Sequence, residues 1–259
     1  MGTVAKALSL LNLFSMEQPE IGLSDVARLS GMNKATAYRL LSELQSQGIV
    51  EQVGPDRAYR LGPGVLRLAA LREASVPLLT VAREVVRALS DETGETAHMS
   101  VIRGTRLSAL TYAYSQAHAT RVTMENATDL AFHATGSGLA VLAFSDPGFV
   151  NETLAQPLPA YTEETVTDSA AVRAALDAAR LTGVAECRGL FEAEVHSHAA
   201  PVFGPDGKPL GALAVAAPYA RMTNATAAHI HAAVIAGTRE LTHRTGGALP
   251  ADYPTGAPT

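Results

Sequence analysis

Lys34, Thr36, Tyr38 and Arg39 crowd into one short stretch whose only nearby acid is Glu43. Two cations, a hydroxyl and a phenol at this spacing are groups that meet phosphates and base edges in a DNA major groove. A second set is His133-Ala134-Thr135-Gly136-Ser137-Gly138, which reads as a helix start after a loop. The amides of Gly136 and Ser137 at such an end can grip a carboxylate, helped by the helix dipole. A nucleophilic role for Ser137 fails the pattern G-x-S-x-G, because Thr135 and Leu139 occupy the flanking glycine positions. The third set is His196 and His198, two apart on a strand, so their side chains share a face with Glu194. That is a metal-ligand spacing. No Cys pair accompanies it, so His196 and His198 are kept as candidates only, and no metal or cofactor is assigned. His98 and His133 are two further histidines that folding could bring close. Each set also has a plain reading: a helical hairpin, a Gly-rich helix start, and histidines bonded to neighbours.

The first set needs a helix to present it, and Ser24 to Gln47 supplies a helix-turn-helix. Ser24 reads as an N-cap for a helix carrying Val26, Ala27 and Leu29 inward. Ser30-Gly31 makes the turn. Asn33 caps a second helix in which Ala37, Leu40, Leu41 and Leu44 form one buried stripe. Lys34, Ala35, Thr36, Tyr38 and Arg39 then lie at the first turn or away from the stripe. Upstream, Val4, Ala7, Leu8, Leu11 and Phe14 predict an amphipathic helix ended at Gln18-Pro19-Glu20. Downstream, residues 49–53 and 58–61 predict a hairpin, with Arg57 at its tip and Arg60 on its return strand placed for the DNA backbone or minor groove. Three helices and a hairpin make a winged helix-turn-helix over 1–62. A linker helix follows over 63–76, with Leu66, Ala69, Ala70, Leu68 and Leu71.

From 77 to 244 the pattern alternates helices with period-two strands. Leu79, Ala82, Val86 and Leu89 mark a helix that ends at Gly94. Residues 96–102 and 107–114 form a hairpin, and a third strand is expected near 120–124. Helices are expected over 134–144, over 168–181 (Val172, Ala175, Leu176 and Ala179 inward, Asp168 capping) and over 223–243. Strands are expected over 184–186, 195–203 and 210–217, the last two joined by Gly204-Pro205-Asp206-Gly207. Hairpins flanked by helices predict an α+β domain on a mainly antiparallel sheet. The Gly/Pro/Ala-rich residues 245–259 read as a disordered tail.

Composition sets the bounds. The 259 residues, 47% of them hydrophobic, suffice for one or two cored domains. The single cysteine, Cys187, excludes a disulfide framework and fits a reducing cytoplasm. No apolar run approaches the ~20 residues of a membrane span, and no signal-peptide pattern opens the chain, so no membrane partner is expected. Net charge is −5, but residues 1–72 hold eight Lys/Arg against six Asp/Glu, and residues 73–259 twelve against nineteen. A +2 module joined to a −7 body suits a DNA reader with a separate second domain. At +2 the non-specific attraction is modest, so useful affinity calls for dimerisation.

Four ordered motifs carry a resemblance over residues 4–244: GLSDVARLSGMNKATAYRLLSELQSQGIVE, YRLGPGVLRLA, HATGSGLAVLA and AAPVFGPDGKPLGALAVAAP. Together they resemble bacterial transcriptional regulators of the isocitrate lyase regulator (IclR) family. The resemblance implies a winged helix, a linker helix and a C-terminal effector domain similar to GAF and PAS modules. It also implies homodimers or homotetramers on double-stranded, palindromic operators, tuned by a small organic acid. In such regulators the positions of Gly136 and Ser137 contact the effector. Where an acid is common this chain has Cys187, where a cysteine is common it has Ser197, and two frequent serines are Ala214 and Ala216. Lost hydroxyls imply a less polar pocket and an effector larger or more apolar than glyoxylate or pyruvate. The expected function is therefore an effector-responsive, non-enzymatic transcription factor. Ser24, Asn33, Lys34, Ala35, Thr36, Tyr38, Arg39, Arg57 and Arg60 would face DNA, and Gly136, Ser137, Cys187, Ser197, Ala214 and Ala216 the effector. The alternative is an enzyme or metal-dependent sensor that uses the C-terminal His and Ser residues.

Overall fold

A computed structural model describes residues 2–15, 18–75, 77–124 and 129–254. The chain divides into two compact units, Met1–Pro77 and Leu78–Thr259. The residues expected to form the linker helix fall within the first of these units.

In the first unit, α1 (Thr3–Leu11), α2 (Leu23–Ser30) and α3 (Lys34–Ser46) precede the hairpin β1 (Val50–Val53) and β2 (Ala58–Leu61), and α4 (Pro63–Ser75) follows. The core is Leu10, Ile21, Val26, Ala37, Leu40, Leu41, Val50 and Tyr59, with Leu44 packed against it. Asn33 caps α3 as expected: its side-chain oxygen accepts the Thr36 amide at 2.8 Å. Ser24 does not cap α2. The N-cap is Gly22, and Ser24 lies exposed in the first turn. The reason is Leu23, which packs against the core and draws the helix start back by two residues. Leu29 is likewise exposed, because Leu23, Val26 and Ala27 define the inward face and Leu29 falls off it. In α1 the expected stripe divides in two. Ala7, Leu11 and Phe14 pack around buried Leu10, whereas Val4 and Leu8 are exposed, and the helix ends at Leu11.

The second unit is built on a five-stranded antiparallel sheet in the order β4-β3-β7-β6-β5. Its strands are β3 (Thr96–Arg103), β4 (Arg106–Ala113), β5 (Ala185–Arg188), β6 (Val195–Phe203) and β7 (Pro209–Pro218). The helices α6 (Gly136–Ala143), α7 (Pro147–Leu154) and α8 (Ser169–Thr182) share one core with Cys187, Ala199, Ala212 and Ala214. Helices α5 (Leu78–Thr93) and α9 (Asn224–Arg244) pack on each other and on the sheet. The result is the α+β class expected. Residues 121–124 form no strand, although Val122 and Met124 are buried and Val122 accepts the Thr96 hydroxyl at 2.7 Å. Helix α7, which starts on Pro147, was not expected. Ala175 is exposed and Leu79 only half-buried, with Val81 and Val85 filling the α5 core instead.

The segment 245–254 departs from a disordered tail. Gly247 N–H donates to Thr242 O at 2.8 Å and Ala248 N–H to Gly204 O at 3.0 Å. Tyr253 is 3% exposed, packs against Phe144 and Phe203 at 5.3 Å each, and donates its hydroxyl to Gly183 O. One buried aromatic outweighs the local Gly/Pro composition that argued for disorder. Residues 255–259 lie outside the described residues. Tyr253→Phe should cost about 1 kcal/mol in urea unfolding, since it removes that one hydrogen bond and leaves the ring in place. An unchanged midpoint would show the contact to be idle.

Candidate functional site

Because Ala37, Leu40 and Leu41 fix the buried side of α3, its other side is turned outward. Asn33, Lys34, Ala35, Tyr38 and Arg39 are exposed and Thr36 is half-buried. Lys34 and Arg39 form no ion pair or side-chain hydrogen bond among the described residues, so both cations are unspent. The wing differs. Arg60 binds Glu51 at 2.8 Å and lies 3.6 Å from Glu20. Arg57 donates to Gln52 Oε1 at 2.9 and 3.2 Å and, though not a glycine, has a positive φ of 53°. Both wing arginines are thus held by neighbours, which the sequence pattern did not reveal.

In the second unit the start of α6 borders a cavity of about 210 Å³. Gly136, Ser137, Cys187, Ser197 and Ala216 line it, joined by His98, Val122, Met124, Leu130, Leu190 and Phe191. Ala214 does not: it is fully buried in the core with α6 and lies outside the lining. The helix end is tightly seated. A Cβ at Gly138 would lie 2.4 Å from the Phe132 backbone, so only glycine lets α6 approach there. Thr135 accepts the Gly138 amide at 3.0 Å, while the Ser137 amide, second in the helix, has no intrahelical acceptor. Ser137 Oγ lies 3.1 Å from His98 Nε2. Burial lowers the His98 pKa to about 4, so the ring is neutral near pH 7. Among the described residues its Nδ1 has no partner, so none of them orients the ring as the acid of a catalytic triad would. Burial pushes the Cys187 thiol up to about 11, and the thiol donates to Ala134 O at 3.3 Å. The wall is mostly apolar; His98, Thr135, Ser137 and Ser197 gather at the start of α6, and Thr123 and the acid Glu192 also border the cavity.

Register explains the histidines. Cys187 pairs with Ser197 and Ala216 lies across from Ser197, so these three face the cavity. Glu186 pairs with His198 and Arg188 with His196, on the opposite face of the sheet. His196 Nε2 lies 2.8 Å from Glu186 Oε1, and His198 Nε2 4.0 Å from it. The hydrogen bond from His196 holds the Glu186 carboxyl down to about 2, whereas burial lowers His198 to about 4. Glu194, the acid expected beside the pair, is exposed and outside this cluster. The partner is Glu186, which strand pairing brings in from ten residues away.

A winged helix-turn-helix followed by an α+β unit with an internal cavity defines a DNA-binding regulator with a ligand-sized pocket. Residues 3–54 match the IclR helix-turn-helix domain and residues 72–243 match the family described as bacterial transcriptional regulator IclR C-terminal. The chain belongs to the IclR family of transcriptional regulators. It is 30% identical over 238 residues to the HTH-type transcriptional regulator BhcR of Paracoccus denitrificans, covering 91% of this chain and 84% of that one. A crystal structure of an IclR transcriptional regulator from Silicibacter sp. TM1040 is 59% identical, with a TM-score of 0.83 over 98% of this chain and 100% of that one. An IclR homologue from Microbacterium hydrocarbonoxydans, solved in complex with 4-hydroxybenzoate, is 24% identical with a TM-score of 0.58, covering 94% and 99%. Among the described residues no helix is long and apolar enough to cross a membrane.

Proposed function

We propose that this regulator binds a palindromic operator as a homodimer or a pair of dimers and that a small organic acid in the α6 cavity tunes that binding. The observation that carries the reading is the outward face of α3, with Lys34 and Arg39 unspent beside Thr36 and Tyr38. Entering the major groove N-terminus first, α3 presents Lys34, Ala35, Thr36, Tyr38 and Arg39 to base edges and phosphates. Ser24 and Asn33, at the starts of α2 and α3, approach the backbone, as do Arg57 and Arg60 from the wing once DNA competes for them. Self-association draws on Leu66, Leu68 and Leu71 of α4, which are 73%, 48% and 58% exposed. Such a protein works in the cytoplasm and does no chemistry on its ligand.

The cavity favours a monocarboxylate with an apolar or aromatic body. Its carboxylate would take the Ser137 amide and hydroxyl, and its body would meet Leu130, Leu190, Phe191 and Met124. The 4-hydroxybenzoate held by the Microbacterium hydrocarbonoxydans relative has this character. A thermal-shift screen should find aromatic or branched acids raising the melting temperature while two- and three-carbon acids leave it unmoved. The reverse ranking would overturn the assignment. Ser137→Ala should weaken the best acid about tenfold, the worth of one hydrogen bond to a charged group. Operator affinity of the ligand-free protein should stay unchanged in a gel shift. Steady ester or amide turnover by the wild type, lost in Ser137→Ala, would instead establish an enzyme.

A further inference from the structure

We propose that Glu186, His196 and His198 form a binding site for a divalent transition-metal ion, zinc by the chemistry of the donors, on the face of the sheet opposite the α6 cavity. One donor atom from each residue lies within 4.8 Å of the other two. Two imidazoles and a carboxylate are a donor set that suits zinc and excludes magnesium, which is held by oxygen ligands.

Three further features bear on the site, and the first of them points to a ligand. First, His198 is 3% exposed and its ring makes no hydrogen bond among the described residues: Nδ1 has no partner there and Nε2 is 4.0 Å from Glu186. A buried imidazole ordinarily finds a partner, and a metal ion supplies one. Second, His196 is 2% exposed and stacks on His198 at 4.9 Å between centroids, which sets the two rings side by side. Third, the positions are fixed by backbone rather than by side-chain choice. Glu186 and His198 are direct cross-strand partners, and His196 lies two residues along the same strand.

The contacts that compete with the ion are visible too. Arg188 and His196 both bind Glu186, and all of these bonds fall on Oε1. Oε2 is left to reach the metal, with Arg188 staying on Oε1 or turning out to solvent, where it is already 62% exposed. Zinc ligands at about 2.0–2.1 Å from the ion stand roughly 3.3 Å apart in a tetrahedron, so the cluster must tighten. Glu186, the exposed member, does most of that moving. The fourth position is open to water; His231 on α9 is outside the cluster, although its Nε2 is buried and unpartnered. Bound there, the ion would tie β5, the edge strand, to β6. Cys187, next to Glu186, faces the cavity from the same strand.

The test uses the full-length protein without a polyhistidine tag, stripped with chelator and dialysed. Titration with Zn2+ against a competing chromophoric chelator should give one tight equivalent, raise the melting temperature and show no response to Mg2+. Co2+ should give the strong visible bands of a four- or five-coordinate site. His198→Gln and Glu186→Gln should each weaken Zn2+ at least tenfold while circular dichroism stays unchanged. Weak or non-stoichiometric Zn2+ binding by the wild type, or wild-type affinity in Glu186→Gln, would overturn the site. Glu186 is exposed enough that its replacement does not threaten the fold, and the Co2+ spectrum needs no variant: a six-coordinate, water-like spectrum would also overturn it.

Discussion

Arg39→Ala should abolish operator binding at physiological salt while leaving fold and oligomeric state intact. Arg39 is exposed on α3 and has no partner within the described chain, so removing it orphans nothing in the free protein. In the complex, losing a base or phosphate contact costs ~1–3 kcal/mol. A dimer on a palindrome loses it twice, so affinity should fall roughly thirtyfold to ten-thousandfold. Arg60→Ala is the informative comparison. Arg60 must first leave Glu51 and Glu20, which offsets part of its gain on DNA, so its loss should matter less. Gel shifts on an operator selected from genomic DNA, repeated at several salt concentrations, separate the two. Equal affinity of wild type and Arg39→Ala would refute the assignment of α3 as the reading helix.

That contrast marks where sequence reading ends. The α3 stripe and the Asn33 cap were legible because both depend on residues three or four apart along one helix. The hairpins were legible because turn residues sit between alternating runs. The Ser24 cap failed on competition: a serine is a good cap only if the residue before it stays outside the helix, and half-buried Leu23, packed against the core, does not. The ion pairs of Arg60 depend on wing geometry that no local pattern encodes.

The cavity divides the same way. Gly136 and Ser137 were legible as a helix start, and the resemblance brought Cys187, Ser197 and Ala216 to the same place. Ala214 was carried over with them but sits in the core under α6. Val122 and Met124 belong to a stretch without a strand, and Leu190 and Phe191 to a turn before β6, so no periodicity flags them as lining. Glu186 illustrates the strongest limit. Its partnership with His196 follows from β5–β6 register, and a shift of one residue would have turned it into the cavity. A single tyrosine, Tyr253, decides the fate of the last segment, and composition is blind to one anchor.

Acid should weaken the second unit through His98 in a defined window. The ring is 6% exposed, and its folded pKa is about 4 against 6.5 for an unhindered histidine. The depressed value means that the unfolded chain takes up the proton first. Stability from this group is complete above pH 6.5, falls as pH drops and is lost by about pH 4. The full loss is roughly 3 kcal/mol, with about 1.4 kcal/mol gone by pH 5.5. Urea unfolding of wild type and His98→Gln at pH 7.5, 5.5 and 4.5 isolates it, since other titrating groups act in both proteins. Parallel slopes would sink the assignment. The same linkage tests where the acid ligand sits. A carboxylate bound at Ser137, 3.1 Å from His98 on the hydroxyl side, favours the protonated ring and raises its pKa. Binding should then draw in a proton, and affinity should rise between pH 7.5 and 5.5, where the ligand itself remains ionised. In His98→Gln that rise should vanish. A ligand seated away from α6 would bind with the same affinity at both pH values in both proteins.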